Sequence, residues 1–318
     1  MNTLQPYSSS YQMAMLDELA LSVCQSPQSV VDREENRYAD VISKIADYIH
    51  THNISLLLIA GPSASGKTTT SKRLETALQH RSHRVYRISL DNFYRERDTL
   101  PLWEDGSPNF ETPDSLDIPY YQTKMQQLFH QGEQEFSVFD FKTNTRGHET
   151  FSVKYDANTC LILEGIHALN PKLMPDNSFS ALRVYISPHT QFLYHDEVLL
   201  TARQLRLTRR ILRDTAIRGA TPEQTLKMWN QVLRGEREYL HPFRNMADVH
   251  INTAHLYEPF LYAGPFLRLM KKRDRNWEEF PKVQSLIQGY EQIAQMGSLT
   301  DIPDTSLIGE FYHPLLLK

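Results

Sequence analysis

One eight-residue segment limits what this chain can fold into more than any other feature of its sequence. Residues 61–68 spell Gly-Pro-Ser-Ala-Ser-Gly-Lys-Thr, which matches G-x-x-x-x-G-K-[ST] at every fixed position. A short apolar run, ISLLLIA at residues 54–60, precedes this segment, and a helical pattern at residues 68–79 follows it. The pattern therefore predicts a buried strand, a phosphate-binding loop and a helix whose N-terminus faces the anion.

Each part of this loop has a chemical reason to bind a nucleoside triphosphate. The glycines let the backbone curl around phosphate, so that successive N–H groups point at the anion. Lys67 is expected to reach the β and γ phosphates, and the Thr68 hydroxyl is expected to ligate Mg²⁺. An ordinary glycine-containing turn is the alternative, and the flanking strand and helix argue against it. The expected nucleotide contacts are Gly61, Ser63, Ala64, Ser65, Gly66, Lys67, Thr68 and Thr69.

Short apolar runs recur along the chain and alternate with helical stretches. After residues 54–60, such runs lie at 85–90, 159–163, 182–187 and 248–252. Helical stretches at 68–79, 120–130, 190–215 and 221–237 separate most of them. This alternation predicts an α/β fold, with a mostly parallel sheet and helices on both faces. Residues 135–154 alternate like a hairpin instead, so we expect a small antiparallel flap there.

Two carboxylates end apolar strands of the predicted sheet. Asp91 follows the run at 85–90, and Glu164 follows the run at 159–163. Ligands gather at the carboxyl ends of strands in such sheets, so Asp91 is placed to take a proton from an acceptor hydroxyl and to help hold a metal. Glu164 fits a Mg²⁺ partner. The alternatives are a turn-capping aspartate and a strand-end glutamate that faces solvent.

An arginine-rich helix is the third candidate element of the site. Residues 201–220 contain six arginines and one acid. At 100° per residue, five of the arginines fall within an arc of about 120°. Such a stripe can close over a triphosphate as a lid and neutralise charge that develops in phosphoryl transfer. A solvated helix face and a nucleic-acid patch are the alternatives. The five are Arg203, Arg206, Arg209, Arg210 and Arg213.

Composition narrows the partners and the compartment. The formal charge is −4, and residues 201–220 contribute +5 of it, so the remaining chain carries −9. An acidic body with one basic segment favours a small-molecule partner over a nucleic acid or a membrane surface. No secretory signal and no apolar stretch of membrane-spanning length is visible. The two cysteines are too few for a disulfide framework. We therefore expect a cytoplasmic protein.

Taken together, the motifs resemble the P-loop uridine kinase and phosphoribulokinase superfamily, and most closely the uridine kinase-like nucleoside kinases. The matching blocks occur in order over about 200 residues. They are GPSASGKTTT at 61–70, SLDNFYR at 89–95, NFETPDSLD at 109–117, FSVFDFKTNTR at 136–146, LILEGIHAL at 161–169, RLTRRILRDTAIRG at 206–219 and ADVHINT at 247–253. The resemblance implies a P-loop NTPase fold and ATP-dependent phosphorylation of a nucleoside 5′-hydroxyl.

The resemblance also implies roles for particular residues. Asp91 would be the general base and a metal neighbour, and Thr68 and Glu164 would complete the Mg²⁺ site. Lys67 would act in catalysis on the phosphates. Tyr94 and Phe110 would lie beside the sugar or base, and Gln224 would contact the substrate after the lid. The phosphate clamp would consist of Arg206, Arg209, Arg210 and Arg213, with Arg206 also near the substrate.

The chain departs from the family pattern in the nucleoside pocket. Uridine–cytidine kinases typically have NFDHPDAFD where this chain has NFETPDSLD, so Glu111 replaces a ribose-binding aspartate. Phe139 and Asn144 stand where a Tyr and a His surround the pyrimidine, which changes hydrogen bonding to the base. Two alternatives therefore stay open. One is a kinase of another hydroxyl metabolite, phosphoribulokinase-like or pantothenate kinase-like, and the other is a non-kinase nucleotide-binding regulator that uses the arginine stripe on RNA.

The two ends complete the expected organisation. Residues 54–270 are the expected P-loop kinase domain, between an N-terminal helical extension, 1–53, and a C-terminal helical extension and tail, 271–318. The C-terminal part resembles longer bacterial uridine kinase-like proteins that carry an N-terminal TGS domain. Residues 1–53 are too few for that domain plus a linker. We expect them to form helices packed on the core or at a subunit contact of a homo-oligomer.

Overall fold

The fold was analysed on a computed structural model that describes residues 10–140, 143, 145–174, 179–271, 277 and 280–313. Its strands are β1 (Gln12–Met15), β2 (Leu56–Ala60), β3 (Arg84–Ser89), β4 (Glu133–Asp140), β5 (Thr145–Lys154), β6 (Thr159–Glu164), β7 (Ala181–Ser187), β8 (Thr190–Tyr194), β9 (Glu197–Leu200) and β10 (Val249–Asn252). Its α-helices are α1 (Leu16–Gln25), α2 (Pro27–Thr51), α3 (Lys67–Gln79), α4 (Ile118–Gln131), α5 (Ala202–Ile217), α6 (Pro222–Gly235), α7 (Glu258–Met270) and α8 (Pro281–Met296).

The central sheet has five strands in the order β10-β7-β2-β6-β3, and every neighbouring pair is parallel. All residues of β2 and β6 are buried, as expected for strands covered by helices on both faces. All five predicted strands are present with boundaries shifted by at most two residues. The predicted α/β fold with a parallel sheet is confirmed.

Two apolar clusters cover the faces of this sheet. The larger cluster includes buried side chains of α2, α3, α5, α7 and α8. The smaller cluster includes those of α4 and of the β4–β5 hairpin. The predicted hairpin is confirmed as an antiparallel pair with an irregularity between Ser137 and Phe139. Its Phe136 and Phe139 are buried, so the hairpin packs onto the domain beside the end of β3.

The predicted helix over residues 190–215 is wrong in its first half. Residues 190–194 and 197–200 form the antiparallel pair β8–β9, and β1 adds to β8 as a third, parallel strand. His195 and Asp196 connect the pair with φ angles of 50° and 65°, a left-handed backbone that turns the chain in two residues. The helix begins only at Ala202, where Thr201 and Gln204 form a capping box. Residues 12–15, which lie in the N-terminal extension that was expected to be helical, form strand β1 instead.

The described parts of the N-terminal and C-terminal extensions both pack on the central domain. Helices α1 and α2 contribute buried residues to the larger apolar cluster, and so do α8 and the segment that contains Leu307, Ile308 and Phe311. No helix in the described ranges is long and apolar enough to cross a membrane. The C-terminal segment matters for function because it reaches the phosphate-binding loop.

Candidate active site

The phosphate-binding loop joins β2 to α3, as the sequence predicts. Gly66 has a φ of +91°, a conformation that side chains other than hydrogen strongly disfavour. A β-carbon at Gly61 would overlap the carbonyl oxygen of Ile186 on β7, so this glycine permits close packing of the loop on the sheet. The Lys67 Nζ donates hydrogen bonds to the carbonyl oxygens of Gly61 at 2.9 Å and Pro62 at 3.2 Å. The lysine therefore lies along the inner face of its own loop.

Asp91 and Glu164 meet at the carboxyl edge of the sheet, beside this lysine. Strand pairing sets Glu164 level with Ile59 of β2 and Ser89 of β3, and Asp91 follows two residues after Ser89. Burial raises the pKa of Glu164 to about 7, and the neighbouring negative charge of Asp91 adds to the increase. Burial also raises the pKa of Asp91, although the Lys67 ammonium acts against it. Burial lowers the pKa of Lys67, and both carboxylates oppose that change.

Three predicted substrate residues form an aromatic cluster next to Asp91. The rings of Tyr94 and Phe110 lie 5.8 Å apart, and those of Tyr94 and Phe139 lie 6.0 Å apart. The Tyr94 hydroxyl donates to the Phe110 carbonyl oxygen at 3.2 Å. Asn92 accepts a hydrogen bond from the Phe139 backbone N–H at 3.3 Å, which ties the hairpin to the end of β3. Such aromatic faces suit the stacking of a planar ring.

Glu111 follows Phe110 of this aromatic cluster and lies close enough to Lys67 and Arg210 to feel their charges. Burial raises its pKa to about 7, and repulsion from Glu236 contributes, while Arg210 and Lys67 act in the opposite direction. Gly235 permits the approach of α6, because a β-carbon there would overlap the Glu111 side chain. Asn144, the remaining predicted pocket residue, lies outside the described residues.

Helix α5 lies against the phosphate loop, and two of its arginines, Arg209 and Arg210, contact the loop directly. Arg210 donates to the Ser63 hydroxyl at 2.9 Å. Arg213 binds Asp214 at 2.8 Å. Arg206 forms a buried ion pair with Glu236. These arginines are at least 90% buried, so α5 is packed into the protein along this face and is not a solvated helix surface.

Arg209 is fully enclosed beneath the phosphate loop. Its guanidinium binds both carboxylate oxygens of Glu258 at 2.7 Å, and both side chains have 0% exposure. The remaining N–H groups donate to Thr253 and to the Ala64 carbonyl oxygen. A guanidinium has five N–H donors, and all five have protein acceptors here. Arg209 therefore supports the loop from below, whereas the sequence placed it with the arginines that face phosphate.

Gln224 has a local role that the sequence did not predict. Its side-chain oxygen accepts from the Thr221 backbone N–H at 2.8 Å, and its own N–H donates to the Thr221 hydroxyl at 3.3 Å. This reciprocal pair is a capping box that starts α6. Gln224 is exposed and is not among the residues that the structure gathers around Asp91. A sequence signal for this capping box was present, because Thr221 and Gln224 form a Thr-x-x-Gln pattern that is followed by an apolar stripe.

Several other residues lie at the site although no sequence pattern predicted them there. Glu310 of the C-terminal segment accepts from the Thr69 hydroxyl at 2.8 Å and lies 3.9 Å from Arg213. Leu307 fills the space beside Gly66. The positive charge of Arg218 acts on Asp91. Burial lowers the pKa of His167, next to the Glu111 backbone, to about 4, so its imidazole is neutral at pH 7.

The donor set beside Lys67 fits Mg²⁺. Hard cations of this kind prefer carboxylate and hydroxyl oxygens. The negative charge of Asp91 disfavours ionisation of Glu164, and the Thr68 side chain is exposed at the start of α3. Two like charges held together without full compensation are a natural place for a cation.

Comparison with known proteins places these residues in a family. The model of the Phosphoribulokinase / Uridine kinase family matches residues 56–256. The chain belongs to this family. It is 28% identical over 192 residues to the uridine kinase of Bacillus velezensis, which covers 60% of this chain and 82% of that protein. The figures for the uridine kinase of Bacillus subtilis are the same, 28% over 192 residues with 60% and 82% coverage.

A solved structure supports the fold of this kinase family member. A Silicibacter protein named as a fructose transport system kinase matches with a TM-score of 0.50 at 17% identity, covering 66% of this chain and 98% of that one. At this identity the likeness concerns the fold alone. The family assignment supports a P-loop kinase, with ATP as the implied cosubstrate.

Proposed function

We propose that this family member transfers the γ-phosphoryl group of ATP to the 5′-hydroxyl of a nucleoside-like acceptor. The observation that carries the proposal is the meeting of Asp91, Glu164 and Lys67 at one edge of the sheet, next to the aromatic cluster of Tyr94, Phe110 and Phe139. Acid and lysine side chains serve phosphoryl transfer, and aromatic side chains serve the binding of a planar base. The similarity to uridine kinases supports the same acceptor class.

Each residue then has a defined task. Lys67 and the loop N–H groups hold the β and γ phosphates, and Arg210 and Arg213 neutralise the charge on the transferred group. Asp91 accepts the proton of the acceptor hydroxyl as the oxygen attacks, and its raised pKa brings it closer to the operating pH of a general base. Thr68, Asp91 and Glu164 would hold Mg²⁺. When bound, this ion would screen the negative charge of the phosphates.

A panel assay tests the proposal. Purified protein with Mg-ATP is incubated with uridine, cytidine, purine nucleosides, pantothenate and ribulose 5-phosphate, and ADP release is measured with and without each acceptor. We expect release that depends on a nucleoside. Turnover only with pantothenate or ribulose 5-phosphate would overturn the acceptor assignment. Release without any acceptor that RNA stimulates would overturn kinase activity.

The role of Asp91 needs its own variant. Asp91→Asn keeps the shape of the side chain and removes the base, so we expect kcat to fall by at least about 10²-fold while ATP affinity is retained. Asp98→Asn is the matched control, because Asp98 is an exposed carboxylate seven residues further along the chain. Wild-type kcat in Asp91→Asn would refute the assignment of the base.

A further inference from the structure

The N-terminal extension reaches the phosphate loop through one tyrosine. Tyr38 lies in α2, outside residues 56–256 that match the family model. Its hydroxyl oxygen is 2.6 Å from the Thr70 hydroxyl oxygen in the first turn of α3, and both side chains have 0% exposure. Thr70 in turn donates to the Gly66 carbonyl oxygen at 2.7 Å. Two consecutive hydrogen bonds therefore join a tyrosine of the extension to the loop.

The direction of both hydrogen bonds is fixed by the carbonyl group at the end. A carbonyl oxygen can only accept, so the single hydroxyl proton of Thr70 lies toward Gly66. The Thr70 oxygen must then accept from Tyr38. Burial raises the pKa of Tyr38 to about 12, so its hydroxyl keeps this proton at physiological pH. Because consecutive hydrogen bonds polarise one another, loss of the Tyr38 donor also weakens the bond from Thr70 to Gly66.

The Gly66 carbonyl oxygen is one end of the peptide group that begins α3. It also accepts from the Thr70 backbone N–H at 2.9 Å, so two groups of Thr70 hold it. The other end of the same planar peptide is the Lys67 N–H, which points in the opposite direction because the bond is trans. This is the first N–H group of α3, and such groups bind anions. A fixed carbonyl therefore fixes the direction of a phosphate-binding N–H group.

Contacts from three other parts of the chain hold Tyr38 in place. The Arg73 guanidinium of α3 lies 4.9 Å from the centre of the tyrosine ring, and the ring of His255, just before α7, lies 5.3 Å from it. Arg73 also pairs with Glu35 of α2 at 3.5 Å. Glu35 in turn accepts from the Ser306 hydroxyl of the C-terminal segment. The tyrosine hydroxyl is therefore presented to α3 from a fixed position.

The buried apolar residues of α2 are aliphatic except for Tyr38, so packing alone does not require its hydroxyl. We propose that Tyr38 is a positioning residue of the nucleotide site. By donating to Thr70, it holds the peptide between Gly66 and Lys67 in the orientation that binds the phosphates. This inference rests on the nucleotide binding in the proposed function and is independent of the acceptor. Its consequence is a nucleotide affinity that depends on a helix outside the family-matched region.

Tyr38→Phe removes only the hydroxyl and tests the inference. Binding of Mg-ADP and of a non-hydrolysable Mg-ATP analogue is measured by calorimetry without any acceptor. We expect both Kd values to rise about fivefold, because one hydrogen bond that orients the loop is lost. In turnover, the KM for ATP should rise while the KM for the acceptor is unchanged. Tyr121→Phe is the matched control, because Tyr121 is also buried and donates to the Leu173 carbonyl oxygen at 2.8 Å within the smaller apolar cluster.

A double-mutant cycle separates positioning from a general loss of stability. Thr70→Val should raise the same Kd values, and adding Tyr38→Phe to it should cause no further rise, because Tyr38 acts through Thr70. Thr70→Ser keeps the hydroxyl and should bind like wild type. Additive effects in the cycle, wild-type Kd values in Tyr38→Phe, or an equal rise in Tyr121→Phe would overturn the inference alone. Wild-type protein that binds neither nucleotide would overturn the proposed function together with it.

Discussion

The buried ion pair beneath the phosphate loop gives a quantitative prediction. Glu258→Gln removes the negative charge that faces Arg209, and both side chains have 0% exposure. Burial by itself lowers the pKa of Arg209, but the Glu258 carboxylate outweighs it and raises the pKa above its ordinary value. The arginine nevertheless stays charged in the variant, because a guanidinium keeps its proton at any physiological pH. Removing one partner of such a pair typically costs about 3–5 kcal/mol of unfolding free energy.

A second hydrogen bond of Glu258 adds to the expected loss of stability, and a double variant provides the control. Glu258 also accepts from the His255 backbone N–H at 2.7 Å, so its loss disturbs the turn before α7 as well. Unfolding in urea, followed by circular dichroism, should show the loss as a lower midpoint with an unchanged slope. The double variant Arg209→Met/Glu258→Leu replaces both charges with apolar groups and should recover most of the stability. A Glu258→Gln protein within about 1 kcal/mol of wild type would refute the reasoning.

Three further predictions concern the site. Glu310→Gln removes the negative charge of a carboxylate that accepts a hydrogen bond from Thr69 beside the phosphate loop. Because the bound triphosphate then meets less repulsion, the KM for ATP should fall about fivefold. The control variant Glu238→Gln should leave this KM unchanged. Glu111 has a pKa raised from 4.5 to about 7. Between pH 4.5 and about 7 the folded state therefore binds more protons than the unfolded state. The free energy of unfolding falls as the pH rises through this range. Glu111→Gln should therefore gain up to about 3 kcal/mol over wild type at pH 8 but little at pH 4, measured by urea unfolding at both values. Phe139→Tyr returns a hydroxyl to the aromatic cluster and should raise kcat/KM for uridine by about tenfold, while a wild-type value would exclude Phe139 from base recognition.

Much of the fold followed from local patterns. The five strands of the sheet, the loop at residues 61–68 and the β4–β5 hairpin are each encoded within a few neighbouring residues. The ends of β3 and β6 had to lie at the same edge once the sheet was parallel, which is why Asp91 and Glu164 could be predicted as site residues. That the two strands are neighbours depends on the strand order, which only the structure shows. The predicted helix over 190–215 was wrong because the turn at His195 and Asp196 carries no glycine or proline, and a single aspartate is a weak turn signal.

The sequence by itself determined the phosphate loop, the parallel sheet and the two carboxylates, since these depend on backbone geometry and on the order of short segments. Tertiary structure alone decided that Arg209 points inward to Glu258, that Glu310 reaches Thr69, and that α2 of the N-terminal extension is joined to the phosphate loop. An arginine stripe looks the same in sequence whichever side of it is buried. Its function depends on acids and carbonyl oxygens that lie dozens to hundreds of residues away, and only the folded chain brings them together.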